Sequence, residues 1–132
     1  MINQNRVDGQ RISARSVTPK SGVVSASGDN ILITAPGAGM HIILYAWSWW
    51  NNTSTETTVV LKSTTMDNMD SYTTEAKGGG KIMDLPAGLK VDLPDNEPLL
   101  LELSGANEHG YFILYEVVEA NNYNPKINYN RW

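Results

Sequence analysis

A ten-residue segment in the first half of the chain constrains the fold more than any other. Residues 41–50, H-I-I-L-Y-A-W-S-W-W, follow the turn sequence A-P-G-A-G at 35–39 and contain three of the four tryptophans. β-Branched and aromatic side chains favour extended backbone. The apolar stretch 42–50, interrupted by Ser48, is far too short to cross a bilayer. The segment therefore predicts a long β-strand.

Both faces of this predicted strand are apolar. Side chains alternate between the two sides of a regular strand, and the strand of a β-sandwich usually has one polar face. Strict alternation places on one face Ile42, Leu44, Ala46, Ser48 and Trp50, and on the other face His41, Ile43, Tyr45, Trp47 and Trp49. Three explanations are open: a cover from the chain's own loops or tail, contact with another subunit, or a carbohydrate-binding platform.

The segment 109–118, H-G-Y-F-I-L-Y-E-V-V, repeats this two-faced apolar pattern. Two such strands in a small domain favour an oligomer, because aromatic side chains are enriched at the centre of protein interfaces. The residues predicted to form a subunit interface are Tyr45, Trp47, Trp49, Trp50, Tyr111 and Tyr115.

The whole chain, including these two segments, predicts about eight strands with turn residues between them, and Pro19 and Gly22 are expected to separate the first two. Regular spacing of short strands predicts an all-β antiparallel sandwich or jelly roll, with a closed barrel as the alternative. We expect an N-terminal arm (1–10), a sandwich domain (11–118) and a C-terminal tail (119–132). The predicted strand segments are 11–17, 22–27, 31–35, 41–50, 56–63, 80–85, 89–93, 98–104 and 109–118, with an irregular segment at 64–71.

Charge and composition exclude several function classes. The 132 residues suit one domain, and the net charge of −4 without a Lys/Arg cluster argues against a nucleic-acid partner. The absence of cysteine removes disulfides, thiol nucleophiles and cysteine-based zinc sites. The first ten residues lack the apolar core of a signal peptide, so we expect synthesis in the cytoplasm and no membrane partner.

Motifs of catalysis and cofactor binding are weak. The two histidines, His41 and His109, lie at predicted strand ends, and neither a G-x-S-x-G nor an H-E-x-x-H motif occurs. The acids Asp67 and Asp70 lack the ligand spacing of an EF-hand. G-G-G at 78–80 is expected to be a flexible turn, because no Lys-Ser/Thr pair follows it. We expect no enzymatic activity, no metal and no cofactor.

Four motifs together resemble a known family. They are A-P-G-A-G-M-H-I-I-L-Y (35–45), T-T-V-V-L-K-S (57–63), G-G-G-K-I-M-D-L-P-A-G-L-K-V (78–91) and L-L-L-E-L-S-G-A-N-E-H-G-Y-F-I-L-Y-E-V-V (99–118). In this order they are similar to the small all-β auxiliary proteins of tailed bacteriophages, namely capsid decoration (cement) proteins and related jelly-roll modules of heads or tail fibres. The resemblance covers roughly residues 11–118.

This resemblance implies a structural protein of the virion, made in the host cytoplasm and located on the capsid surface. It implies a homotrimer without cofactor that binds the major capsid protein and reaches onto the coat with an arm. The Asn-rich tail fits a docking arm or plain disorder equally well. The residues expected to contact the coat are Asn3, Arg6, Arg11, Tyr123, Tyr129, Arg131 and Trp132.

Three other functions stay open at this point. A fibre, baseplate or receptor-binding module would use the same fold to bind host glycans, and exposed tryptophans would favour it. A small β-sandwich hydrolase lacks a visible nucleophile–base pair. A carbohydrate-binding or cytokine-like trimer of a host cell would need a secretion signal.

Overall fold

A computed structural model describes residues 17–86 and 89–119. The described chain is all-β, and the predicted antiparallel sandwich or jelly roll is confirmed. In these two ranges no helix is long and apolar enough to cross a membrane. The strands are β1 (Thr18–Val24), β2 (Gly28–Ile33), β3 (Met40–Asn51), β4 (Thr57–Lys62), β5 (Asp70–Thr74), β6 (Gly80–Asp84), β7 (Val91–Asp92), β8 (Leu99–Leu103) and β9 (His109–Glu119).

The strands form two antiparallel sheets. The five-stranded sheet has the order β1-β9-β3-β6, and β7 pairs with β3 beside β6. The four-stranded sheet has the order β2-β8-β4-β5. The two long apolar segments, β3 and β9, are the central strands of the five-stranded sheet, where each has a neighbour on both sides. Their position explains why both are rich in β-branched and aromatic residues.

The core lies between the sheets. Its fully buried members come from both inner faces, which pack together as in other β-sandwiches. They include Ile42, Leu44, Trp49, Val59, Leu61, Leu99, Leu101, Leu103 and Ile113.

A β-bulge at Tyr45 changes which residues of β3 face this core. Leu44 pairs with Tyr115, and Ala46 pairs with the next residue of β9, Leu114. Tyr45 is therefore one extra residue on β3 at this point of the ladder. A bulge inserts one residue and reverses the alternation beyond it. The predicted strict alternation is therefore wrong, since Leu44 and Trp47 both point into the core.

Several predicted strand boundaries are also wrong. The first described strand crosses Pro19 and Gly22 instead of ending between them, because β1 is an edge strand, where a missing N–H is tolerated. The predicted irregular segment 64–71 runs into β5, which was not predicted. The predicted strand 89–93 is reduced to β7, and Leu89, at the start of the predicted strand, lies outside it and is 57% exposed.

At one end of the sandwich, buried polar side chains link strands and loops through hydrogen bonds. Thr74 Oγ1 lies 2.9 Å from His109 Nε2 and 3.0 Å from the Thr57 carbonyl oxygen, and His109 Nδ1 lies 2.8 Å from the Asn107 carbonyl oxygen. Asn51 donates from Nδ2 to the Thr55 carbonyl at 2.7 Å. Buried polar groups need such partners, so His109 has a structural role here.

The two sheets are also joined along one side, where the edge strands β5 and β6 meet. Asp70 Oδ2 accepts a 2.8 Å hydrogen bond from Trp47 Nε1, and Asp70 Oδ1 forms a 2.7 Å ion pair with Lys81 Nζ. The Asp70 side chain is only 11% exposed. The carboxylate of one sheet therefore holds two side chains of the other.

Candidate interaction surface

The outer face of the five-stranded sheet carries the most unusual surface of the described chain. Residues paired across antiparallel strands share a face, so the strand register assigns this surface row by row. We call its apolar half, level with residues 110–114 of β9, the open face. The open face consists of Pro19, Ser21, Val23, Ala46, Ser48, Trp50, Gly80, Ile82, Asp84, Gly110, Phe112 and Leu114.

Large apolar side chains on the open face are exposed to solvent. Ile82 is 79% exposed, and Trp50 and Phe112 are each more than a third exposed. In contrast, Ile43 and Glu116, which lie on the same side of the sheet nearer the end of β9, are buried, and Tyr45 donates its hydroxyl to Glu116. Contiguous exposed apolar area of this kind marks an interaction site more often than single exposed residues do.

Trp50 lies flat on the sheet because its cross-strand neighbours are glycines. Gly110 on β9 and Gly80 on β6 both pair with Trp50. A Cβ atom at Gly110 would lie 2.3–2.4 Å from three atoms of the indole, so the ring covers this glycine. At Gly80, a Cβ atom would lie 2.1 Å from the Trp49 carbonyl oxygen. The predicted flexible G-G-G turn is thus a site of close backbone approach, and one side of the Trp50 ring remains available.

Two shallow depressions lie on either side of the row formed by Ser48 and Ile82. One has a volume of about 240 Å³ and is bordered by Ala46, Asp84, Phe112 and Leu114. The other, of about 300 Å³, is bordered by Trp50, Gly78, Gly80 and Lys81. Both depressions suit the insertion of an apolar side chain, since their walls are largely apolar.

The open face is almost uncharged. Among its described residues Asp84, at the margin on β6, is the single charged side chain. The neighbouring Lys81 points to the opposite side of the sheet, where Asp70 holds it. A partner therefore has little charge to desolvate when it covers this surface.

The outer face of the four-stranded sheet is different. Lys62 lies 3.2 Å from Asp29 and 3.3 Å from Glu102, so three charged side chains form one cluster. The hydrogen bond to Asp29, supported by Glu102 and opposed by desolvation, raises the pKa of Lys62 above its ordinary value. A hydroxyl pair, Thr58 and Thr73 at 3.1 Å, continues the polar surface.

The predicted interface residues separate into three groups. Trp47, Trp49 and Tyr111 are buried in the core of their own chain, so their side chains cannot provide the surface of a subunit contact. Burial also raises the pKa of the Tyr111 hydroxyl. Tyr45 and Tyr115 are half-buried, and Tyr115 packs against the core. Trp50 remains as the tryptophan of β3 that a partner can reach.

Sequence reasoning missed Ile82, Phe112 and Leu114 as surface residues of one patch. Gly80 and Gly110 carry the signal that could have found them, because glycines on strands beside an aromatic residue indicate close packing of that ring. The predicted coat-contact residues Asn3, Arg6, Arg11, Tyr123, Tyr129, Arg131 and Trp132 lie outside the described residues. The predicted N-terminal arm and all but Glu119 of the predicted tail lie there as well.

The described residues offer little for metal or acid–base chemistry. Within 17–86 and 89–119, no three His, Asp or Glu side chains are grouped so that they could hold a metal ion. Asp70 of the acidic segment 67–70 is engaged by Trp47 and Lys81. His41 is buried on β3, and His109 belongs to the polar network described above.

No protein-family profile and no curated protein sequence matches this chain. Among solved structures, it is similar to the virus-like particle of the extra small virus of the giant freshwater prawn Macrobrachium rosenbergii, with a TM-score of 0.43 at 9% identity over 76% of this chain and 78% of that one. It is also similar to the endospore appendages of Bacillus, described as disulfide-linked pili, with a TM-score of 0.40 at 14% identity over 79% of this chain and 88% of that one. Likenesses this weak assign no function.

Proposed function

We propose that this chain is a structural protein of a virion, specifically a decoration protein that binds the phage head through the open face. The observation that carries the proposal is the contrast between the two outer faces: one exposes apolar side chains with a single acid at its margin, and the other carries a cluster of three charged side chains. A protein that lies on a shell needs one surface for the shell and one for solvent. The motif resemblance to tailed-phage auxiliary proteins points to the same role.

The proposed partners are the major capsid protein and two further copies of this chain. The anchors on the open face are Trp50, Ile82 and Phe112, since buried aromatic and aliphatic side chains at the centre of an interface contribute most of its affinity. Residues 1–10 and the C-terminal residues after β9 are proposed to reach onto the coat. A protein that binds only the assembled lattice stabilises that lattice by mass action.

This role requires neither catalysis nor a cofactor, and we propose that the chain is not an enzyme. Its contribution would be binding free energy alone. Of the residues that border the two depressions, Ser48 and Asp84 have polar side chains on this side of the sheet, in different rows of the strand register.

Co-sedimentation with expanded shells, assembled from a candidate major capsid protein, tests the proposal. The full chain is expected to pellet with shells at a saturating ratio, and deletion of residues 1–10 or 120–132 is expected to weaken binding. No pelleting at micromolar concentration of either component would contradict the proposal. Light scattering over a dilution series tests the homotrimer separately, and a mass of one chain at all concentrations would exclude it.

A second candidate is a fibre or receptor-binding module that recognises glycans. The observation in its favour is the flat Trp50 ring with one accessible side, which is the geometry of a sugar-stacking platform. The sparse polar groups around the ring count against it, because sugar hydroxyls need hydrogen-bond partners. Titration of Trp fluorescence with a glycan panel tests it: a saturable change that is lost in Trp50→Phe supports glycan binding, and an unchanged spectrum opposes it.

A further inference from the structure

One of the outer edges of the two sheets is open to a further strand. The edge strand β2 has a bulge between Ile31 and Ile33, and the edge strands β5 and β6 lie together, joined by Asp70 and Lys81. Bulges, charges and neighbouring elements protect sheet edges from pairing. In β1, every residue except the last is exposed, and among the described residues β9 alone pairs with this strand. β1 is therefore the edge that another strand can reach.

The direction of the backbone groups of β1 follows from the hydrogen bonds of β3. Asn51 donates its N–H to the Gly79 carbonyl at 2.8 Å and accepts a bond from the Gly78 N–H at 2.6 Å. Its backbone groups therefore point toward the β6 side, and successive residues of a strand point to opposite edges. Those of Trp50 point toward β9, so Trp50 and its partner Gly110 form a hydrogen-bonded pair. The backbone groups of Gly110 consequently point toward β3 and away from β1.

This direction leaves backbone groups of β1 without a partner among the described residues. Val23 pairs with Gly110, and two opposite residues of an antiparallel ladder point either both toward each other or both away. The N–H and C=O groups of Val23, and by alternation those of Ser21, therefore point away from β9. Pro19 belongs to the same set, which agrees with the rule that a proline in an edge strand turns its missing N–H to the open side. We call Ser21–Val23 the free edge, because Pro19 offers no donor there.

The free edge is complementary to itself. Around a two-fold axis at Gly22, Ser21 of one copy lies opposite Val23 of the other, and the two free N–H groups of each copy make four hydrogen bonds in all. Gly22 meets Gly22 without a side chain in the way. Lys20 lies opposite Val24, so like charges, which destabilise a cross-strand pair, do not meet. A second copy of this chain therefore fits the free edge.

We propose that the free edge of β1 pairs in antiparallel orientation with the free edge of a second copy, so that two five-stranded sheets continue as one. Cross-strand neighbours share a face, and Ser21 and Val23 belong to the open face. The two open faces therefore lie side by side on one side of the joined sheet. The pairing itself needs no shell, and only its use between copies on a phage head rests on the proposed function.

The contact is a weak one in solution. Its four hydrogen bonds are fewer than the roughly ten of a typical interface, so it strengthens where copies are held close together, as on a lattice. A contact of this kind uses the same surface on both copies and closes at two. It is therefore separate from the proposed homotrimer and would join chains of neighbouring trimers.

Cross-linking of single-cysteine variants with a short bismaleimide tests the pairing in the full chain, which has no native cysteine. Ser21→Cys places a thiol on the free edge, and the two thiols of a pair would be diagonal neighbours roughly 7–8 Å apart. Ser71→Cys is the matched control, because Ser71 is an exposed serine of the edge strand β5. At the same high protein concentration, we expect the two-chain product to form about tenfold faster with Ser21→Cys, since pairing raises the local thiol concentration.

Val23→Pro in the Ser21→Cys background provides a second readout. The N–H that it removes points away from β9, so the ladder within the chain stays complete, as it does at Pro19. Two of the four hydrogen bonds between copies are lost. We expect the cross-linking rate to fall toward that of Ser71→Cys while the thermal unfolding midpoint stays the same. Equal rates for the two single variants, or an unchanged rate after Val23→Pro, would overturn the pairing.

Added shells distinguish a second copy from the coat protein as the occupant of the free edge. If shells protect Ser21→Cys from a monofunctional maleimide and no two-chain product forms, the coat protein takes the edge and the pairing between copies is wrong. Preferential cross-linking without shell binding would contradict the decoration role alone. Shell binding without preferential cross-linking would contradict the edge pairing alone.

Discussion

The outer faces of the two antiparallel sheets differ in their chemistry. On the four-stranded sheet, Lys62 pairs with both Asp29 and Glu102 in contact with solvent. On the five-stranded sheet, Trp50, Ile82 and Phe112 are exposed with a single acid at the margin. A sandwich needs one apolar face per sheet for its core. The second apolar face of the five-stranded sheet adds nothing to that core, so its apolar character is best explained by a contact.

The same comparison holds for charged pairs. The pair of Asp70 and Lys81 is enclosed between the edges of the two sheets and also holds the Trp47 indole. The Lys62 pairs lie on the surface, where solvent screens them. Position, and not the number of ion pairs, determines how much each pair contributes to stability.

The largest effect is expected from Asp70→Ala. The change leaves Trp47 Nε1–H without its acceptor and Lys81 without its counter-ion, which should lower the free energy of unfolding by about 2–3 kcal/mol. Urea denaturation measures it, with Lys62→Ala as the control that should leave the midpoint unchanged. Equal midpoints for Asp70→Ala and the wild type would show that the contacts of Asp70 with Trp47 and Lys81 do not contribute to the free energy of unfolding.

A smaller effect is expected from Gly110→Ala. The added Cβ atom would lie 2.3 Å from the Trp50 ring, so the ring must lift from β9, at a cost of about 1–2 kcal/mol. In a Trp50→Ala background the same change should cost almost nothing, and the difference is the coupling between the two sites. Thermal unfolding of the four proteins measures it, and additive effects would mean that the ring does not rest on Gly110.

The smallest effect on stability is expected from Glu97→Gln, a change at a residue that belongs to neither outer face. Burial opposes its ionisation, but hydrogen bonds from the Thr65 N–H and hydroxyl and from the Ser63 hydroxyl outweigh it, so the pKa of Glu97 is lowered from 4.5. A lowered pKa gives stability that is fully present above about pH 4.5 and is lost as the pH falls through the folded value. After discounting for solvent screening, we expect at most about 0.5 kcal/mol.

Unfolding midpoints of the wild type and Glu97→Gln, compared at pH 7 and pH 3, measure this contribution. The wild type should be the more stable at pH 7, and the difference should vanish at low pH. A difference that grows as the pH falls would show that the sign is wrong.

Much of the fold could be predicted from local pattern, because strand-forming residues and turn residues alternate along the chain. The segments of β3, β4, β8 and β9 were predicted close to their observed bounds. The bulge at Tyr45 could not be predicted, since it depends on the partner strand and leaves no composition signal. This single residue explains why Trp47 and Trp49 belong to the core while Trp50 does not.

The open face was predictable only in part. Trp50 and the apolar character of β3 and β9 were visible in the sequence, whereas Ile82 joins them only through the pairing of β6 with β3, which spans more than thirty residues of chain. The sequence of β6, G-K-I-M-D, carries no clear alternation of apolar and polar residues. The open face forms only when strands that are distant in the sequence pair in one particular register, which local sequence patterns do not reveal.

The affinity for expanded shells of two matched variants, Ile82→Asp and Ile31→Asp, tests the central claim most directly. Both side chains are exposed isoleucines, 79% and 60%, on the outer faces of different sheets. If the five-stranded sheet carries the contact, Ile82→Asp should weaken binding at least tenfold, because burial of an isoleucine contributes about 1.5–3 kcal/mol, and Ile31→Asp should bind like the wild type. Loss of binding in Ile31→Asp with wild-type binding in Ile82→Asp would contradict the claim.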